Sequence, residues 1–171
     1  IVGNLEALII REGPDSIAAF IAEPITGASG VIVPPAGYYQ KVQAVLNRYG
    51  IMFWADEVIT GVGRTGTDFC CTTMGLESPD MMNVAKQRSS AYMPISASSV
   101  SRDVYDAMIE QSANAGAFGH GYTYSGHPVA CAVALKTLEI YQRDLIFEKA
   151  AVTGEYLKKR LVEFTDHPLV G

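Results

Sequence analysis

The sequence predicts an α/β fold, a mainly parallel sheet with flanking helices, on three observations. Two short apolar runs, Ile51–Ala55 and Met81–Ala85, are bounded by turn residues and have the length of buried strands rather than helices. A third run, Ile17–Ala22, is joined to the first by a helical stretch, so that strand, helix and strand read as a crossover between parallel strands. The two later runs end on ionisable groups, Asp56-Glu57 and Lys86, and open α/β sheets bind ligands beyond the carboxyl ends of their strands.

Composition supports a globular chain: 171 residues, 49% apolar and 18% charged, enough for one domain with a core. The net charge of −5 argues against nucleic acid or an anionic membrane as partner. No apolar run approaches the roughly eighteen residues of a membrane span. The first residues, Ile1-Val2-Gly3-Asn4, form no basic leader and are not headed by methionine, so the expectation is a non-secreted fragment. Three cysteines, Cys70, Cys71 and Cys131, make a poor disulfide framework and fit a reducing compartment. None has a zinc-like spacing to histidine.

In chain order, Leu5–Glu12 reads as a helix stopped by Gly13-Pro14, and Ile17–Ala22 as a strand closed by Glu23-Pro24. Thr26–Gly30 is loop and Val31–Val33 a brief extended piece. From Gly37 to Tyr49 the residues Tyr38, Val42, Val45, Leu46 and Tyr49 fall on one helical stripe, with Gly50 suited to the cap. After the second and third apolar runs come a strand over Pro94–Val100 and a helix over Arg102–Glu110. A glycine-rich loop, Gly116–Gly126, follows. Pro128 opens a helix reaching Arg143, rich in small residues at Ala130, Cys131, Ala132 and Ala134. The last helix, Leu145–Phe164, stacks Ala150, Leu157, Leu161 and Phe164.

Each candidate residue has two readings. Asp56 either holds a cationic ring nitrogen or caps the turn after its strand. Lys86 either marks where the chain meets water or serves as a Schiff-base amine. Together they match what pyridoxal phosphate (PLP) chemistry needs, a lysine and an acid for the pyridinium nitrogen. The Gly116–Gly126 loop, with Thr123 and Ser125, offers backbone and hydroxyl donors to an anion. It reads equally as a mobile surface loop. Gly61–Gly66 lacks the Gly-Lys-Ser/Thr ending of a P-loop. His120 and His127 have no metal-binding spacing, so no metal is expected.

Four motifs, Glu23-Pro24, Ala55–Gly66, Ala85-Lys86 and Thr123–Pro128, resemble in order and spacing the class III, PLP-dependent aminotransferases of fold type I. The resemblance covers nearly the whole chain. It implies Lys86 as the catalytic Schiff-base residue, Asp56 at the pyridine nitrogen and Val58 against the ring. It implies Thr123, with Tyr122 beside it, at the cofactor phosphate across a homodimer interface, and it marks Glu23 and Arg64 as recurrent positions. The implied reaction moves an amino group from an amine or ω-amino acid to a keto acid such as pyruvate, in a cytoplasmic enzyme. Ala85-Lys86-Gln87 with Ser89–Pro94 is similar to the ω-aminotransferase branch. The alternatives are a same-fold aminomutase or decarboxylase, or a non-catalytic truncated remnant.

The resemblance divides the chain into part of the large cofactor domain, 1–143, and a helix leading into a small C-terminal domain, 144–171. Full members are more than twice as long. Two positions depart from the pattern: Arg88 stands two residues after the lysine where an apolar side chain is usual, and Ser99 lies in a run expected to be apolar.

Overall fold

The computed structural model describes residues 2–170. Four strands form one sheet in the order β1 (Ala19–Ala22), β2 (Met52–Asp56), β3 (Met81–Val84) and β4 (Ala97–Val100). The first three are parallel, with Ala22 opposite Ala55 and Asp56 opposite Asn83; β4 returns antiparallel, with Val84 opposite Ala97. Six helices accompany them: α1 (Val2–Glu12), α2 (Tyr38–Arg48), the single turn α3 (Cys70–Thr73), α4 (Arg102–Ala115), α5 (Pro128–Arg143) and α6 (Ile146–Val162). The mainly parallel sheet and the crossover through α2 match the sequence expectation.

The core lies on the face that α1 and α2 cover. Successive side chains of a strand point to opposite faces, and in β2 the buried residues are Phe53 and Ala55. They pack with Ile9 of α1 and with Tyr39, Val42, Val45 and Leu46 of α2. The expected stripe on α2 is there, but Tyr39 rather than Tyr38 is its fully buried aromatic. The reason is polar as well as apolar: the Tyr39 hydroxyl donates to the Glu23 carbonyl at 2.6 Å, and its ring meets Phe53 edge-on at 5.8 Å. Burial pushes the Tyr39 phenol far above its ordinary range, so it stays a donor.

The sequence expected an apolar strand over Pro94–Val100, with Ser99 out of place. The strand is shorter and lies at a sheet edge with its residues exposed from Ser98 onward. Serines suit that position: Ser98 Oγ donates to Asn83 Oδ1 at 2.7 Å. The final helix has its apolar stripe, yet Leu157, Leu161 and Phe164 are all exposed. Only the start of α6 is partly covered, at Ile146, Phe147 and Ala150.

Leu46 is almost fully buried at the centre of the α2 face. Leu46→Ala is expected to lower stability by about 2–5 kcal/mol through lost burial and the cavity left behind, read as a lower urea midpoint at unchanged slope. A second expectation concerns Cys70, whose thiol is pushed up from 9.0 to about 12 by burial and by the nearby Glu57 charge. The folded state therefore keeps a proton that the unfolded chain releases near pH 9. Stability from this group is complete below that pH and is lost as pH rises toward 12. Alkylation at pH 8 should accordingly modify half-buried Cys131 well before Cys70 or Cys71.

Candidate active site

The carboxyl ends of β1, β2 and β3 bring three predicted residues into one row: Glu23 just after β1, Asp56 closing β2 and Lys86 two residues after β3. The spacing of the two central strands follows from the ladder, in which Asp56 faces Asn83 and the Glu57 amide donates to the Asn83 carbonyl at 2.9 Å. Adjacent strands lie about 4.8 Å apart, so Asp56 and the turn bearing Lys86 are neighbours along the rim although thirty residues separate them in sequence.

Asp56 and Glu57 are divided by the period-two alternation of the strand. Glu57 continues the buried side of β2 and is 0% exposed. Its carboxylate accepts the Cys71 amide at 2.7 Å and the Thr60 hydroxyl at 2.6 Å. A buried carboxylate is costly unless its oxygens are bonded, and here both are; the group ties the loop after β2 to α3. Asp56 is half-buried on the other side. Its Oδ1 accepts the Val58 amide at 3.1 Å, which is the turn-capping arrangement. Among the described residues Oδ2 accepts no hydrogen bond, so the cap leaves one oxygen for a ligand. The two readings of Asp56 are thus compatible.

Lys86 begins a 3-10 turn, Lys86–Arg88, and its side chain is exposed. It opens on a cavity of about 660 Å³ that Arg64, Gln87, Ser89, Ser90, Met93 and Ile95 help to line. Arg64 joins it there: its Nε donates to the Ile59 carbonyl at 3.3 Å and its guanidinium abuts the Gln87 side-chain amide. Asp56 and Val58 do not line that cavity; Val58 is half-buried just past the strand end. Glu23 is turned inward, its Oε2 accepting the Gly27 amide at 2.9 Å.

Tyr122 and Thr123 are both exposed on the loop before α5, with Tyr122 at 76%. Tyr122 lines a groove of about 910 Å³ with Arg88, Ser96 and His127 that shares Met93, Pro94 and Ile95 with the Lys86 cavity, and Thr123 lines neither space. Among the described residues no cluster of His, Cys, Asp or Glu could hold a metal ion. Arg88 is half-buried and also edges a cleft lined by Asp68 and Glu148, and its amide donates to Ala85 O at 2.7 Å, so the 3-10 turn forms with the arginine in it.

The glycine loop after β2 has a packing role that sequence reasoning did not find. Gly63 and Gly66 adopt φ of +89° and +82°. A Cβ at Gly63 would lie 2.1 Å from Phe147 Cδ1, and one at Gly66 would lie 2.8 Å from Ala151 Cα. The loop is therefore the seat of the first turns of α6, a contact between distant residues that motif matching to phosphate loops does not report.

Comparison with known proteins settles the family. The class-III aminotransferase family model matches residues 1–170. The chain belongs to the class-III aminotransferases. It is 53% identical over its whole length to gamma aminobutyrate transaminase 3, chloroplastic, of Solanum lycopersicum, covering 33% of that protein. It is 49% identical to vanillin aminotransferase of Capsicum chinense, covering all of this chain and 37% of that one. Among solved structures, one described as a transaminase with L-ala superposes with a TM-score of 0.97 at 52% identity, over 99% of this chain and 40% of the other. An omega transaminase from Pseudomonas jessenii in complex with PMP superposes at 0.96 with 50% identity, over 99% of this chain and 37% of the other. The chain thus spans between a third and two fifths of these relatives, and its fold is that of fold-type-I enzymes.

The cofactor of class-III aminotransferases is PLP, and the residues of the rim fit it. A carboxylate with one unused oxygen and an exposed primary amine stand at neighbouring strand ends, the donor set that a pyridinium nitrogen and an aldehyde require.

Gly66→Ala tests the seat of α6. The strained φ alone costs about 1–2 kcal/mol, and the backbone of Ala151 cannot yield as a flexible side chain does. The expected result is a lower melting temperature with faster proteolysis in Ile146–Val162, while Gly3→Ala, a helical position that meets nothing, lowers neither and, if anything, raises stability slightly.

Proposed function

We propose that the protein containing this chain is a PLP-dependent aminotransferase that moves an amino group from an amine or ω-amino acid to a keto acid such as pyruvate. The observation that carries the reading is the ladder register that sets Asp56 beside the turn of Lys86. The substrate class is supported by relatives named for gamma aminobutyrate and vanillin and by structures named omega transaminase.

PLP supplies an aldehyde carbon for amines and a ring that takes up electron density. Lys86 Nζ would hold the cofactor at its aldehyde carbon and, when free, would take and return the proton of the substrate carbon. Asp56 Oδ2 would accept the N–H of the ring nitrogen and, as an anion, keep that proton in place. Val58 would bound the ring on one side. Tyr122 and Thr123, exposed on the loop before α5, would serve the cofactor phosphate of a partner subunit in a homodimer. Glu23 supports the rim by fixing the loop at Gly27.

In this reading residues 1–143 are part of the large cofactor domain and 144–171 lead into the small one. The location proposed is the cytosol, supported by the three free thiols. Named relatives include chloroplastic and mitochondrial proteins, and a fluorescent fusion of the full protein distinguishes the compartments.

The test is absorbance and borohydride trapping of the full protein incubated with PLP, followed by peptide mapping. One pyridoxyl group on Lys86, lost in Lys86→Ala, is the expected result; labelling spread over surface lysines would rule the reading out. Asp56→Asn should still label Lys86 but weaken cofactor retention and amine turnover by about ten- to a hundredfold, the worth of one hydrogen bond to a charged group.

A further inference from the structure

The turn that carries Lys86 is strained and is held from outside. Ser90 and Ala91 are successive non-glycine residues at φ +48° and +65°, a region where an L side chain crowds the following carbonyl. Within the turn, the Ser90 amide donates to Gln87 O at 3.3 Å, the Tyr92 amide to Ser89 O at 3.0 Å, and Ser89 Oγ to Met93 O at 2.5 Å. Strain of this kind persists only where surrounding structure over-determines it.

One side chain reaches in from α5. Tyr141 Oη donates to the Gln87 carbonyl at 2.8 Å, fifty-four residues away in sequence, and is also bonded to Ser90 Oγ. A phenol has a single proton. With that proton on Gln87 O, the Ser90 hydroxyl must be the donor to Tyr141. The carbonyl next to Lys86 thus accepts from two sides, from its own turn and from a helix. The tyrosine ring is itself fixed, packing on Phe147 at 5.6 Å, and Phe147 sits over Gly63.

We propose that Tyr141 is the positioning residue for Lys86: its hydroxyl, bonded to Gln87 O and Ser90 Oγ, holds the strained 86–92 turn and thereby the orientation of the lysine amine at the strand rim. The proposal rests on the assignment of Lys86 as the Schiff-base residue. Tyr141 acts on Lys86 through the backbone of Gln87.

Tyr141→Phe removes one oxygen and keeps the ring. In the full protein without added cofactor, amide hydrogen exchange over 87–92 is expected to rise about three- to tenfold, the loss of one hydrogen bond, with β2 and the rest of α5 unchanged. With PLP added, half-saturation of the trapped Lys86 adduct should require about the same factor more cofactor, and the pH midpoint of its absorbance band should move. Ser90→Ala, which leaves the Tyr141–Gln87 bond, should change exchange in the same direction by less, and carries the test should Tyr141→Phe not fold. Unchanged exchange over 87–92, or an equal rise through β2 and α5, overturns the clamp. A wild-type protein that forms no adduct on Lys86 overturns instead the assignment on which its purpose rests.

Discussion

Everything at the rim depends on the parallel pairing of β2 with β3. Hydrogen bonds between these strands set Asp56 against Asn83, and the ladder closes with the Glu57 amide on the Asn83 carbonyl. Because the side-chain period of a strand is two, a one-residue slip would turn Asp56 into the core and Glu57 out to the ligand side. The buried carboxylate of Glu57 guards against that slip. It would have to abandon the Cys71 amide and the Thr60 hydroxyl, and a charge left unbonded in the interior is far more costly than a surface ion pair is worth. Two adjacent acids therefore do different work: one locks the register and the other faces the site.

From that register the support spreads outward. The loop after β2 uses Gly63 and Gly66 to admit Phe147 and Ala151 of α6. Phe147 in turn packs on Tyr141, and Tyr141 bonds the backbone beside Lys86. A side chain keeps one place only when packed and hydrogen-bonded neighbours fix the backbone that carries it. Here the neighbours belong to two helices and a loop far apart in sequence. Arg88, placed between two grooves, is accommodated within this turn.

The parts of the chain that face outward have a different character. The edge strand β4 is exposed and serine-rich, and the stripe on α6 leaves Leu157, Leu161 and Phe164 in contact with solvent. Tyr122 and Thr123 lie on an exposed loop and do not line the Lys86 cavity. The compared family members are between two and a half and three times as long as this chain.

Much of this was legible from residues alone. The apolar runs at 17–22, 51–55 and 81–85, the helical stripe of α2, the proline that opens α5 and the motifs around Asp56 and Lys86 determined the fold class, the family and the pair at the strand ends. These are local patterns, written in neighbouring residues. Sequence placed Tyr38 where Tyr39 is buried, because the choice rests on a hydrogen bond to Glu23 sixteen residues away. It took β4 for an apolar strand, because edge position is a property of the finished sheet. It read the glycines of 61–66 against phosphate loops, and only the packed helix α6 reveals what they make room for. Above all, nothing near Tyr141 in the chain points to Gln87. Local spacing encodes elements, whereas a clamp between residues 87 and 141 exists only once the tertiary fold has brought a helix and a strained turn within hydrogen-bonding distance.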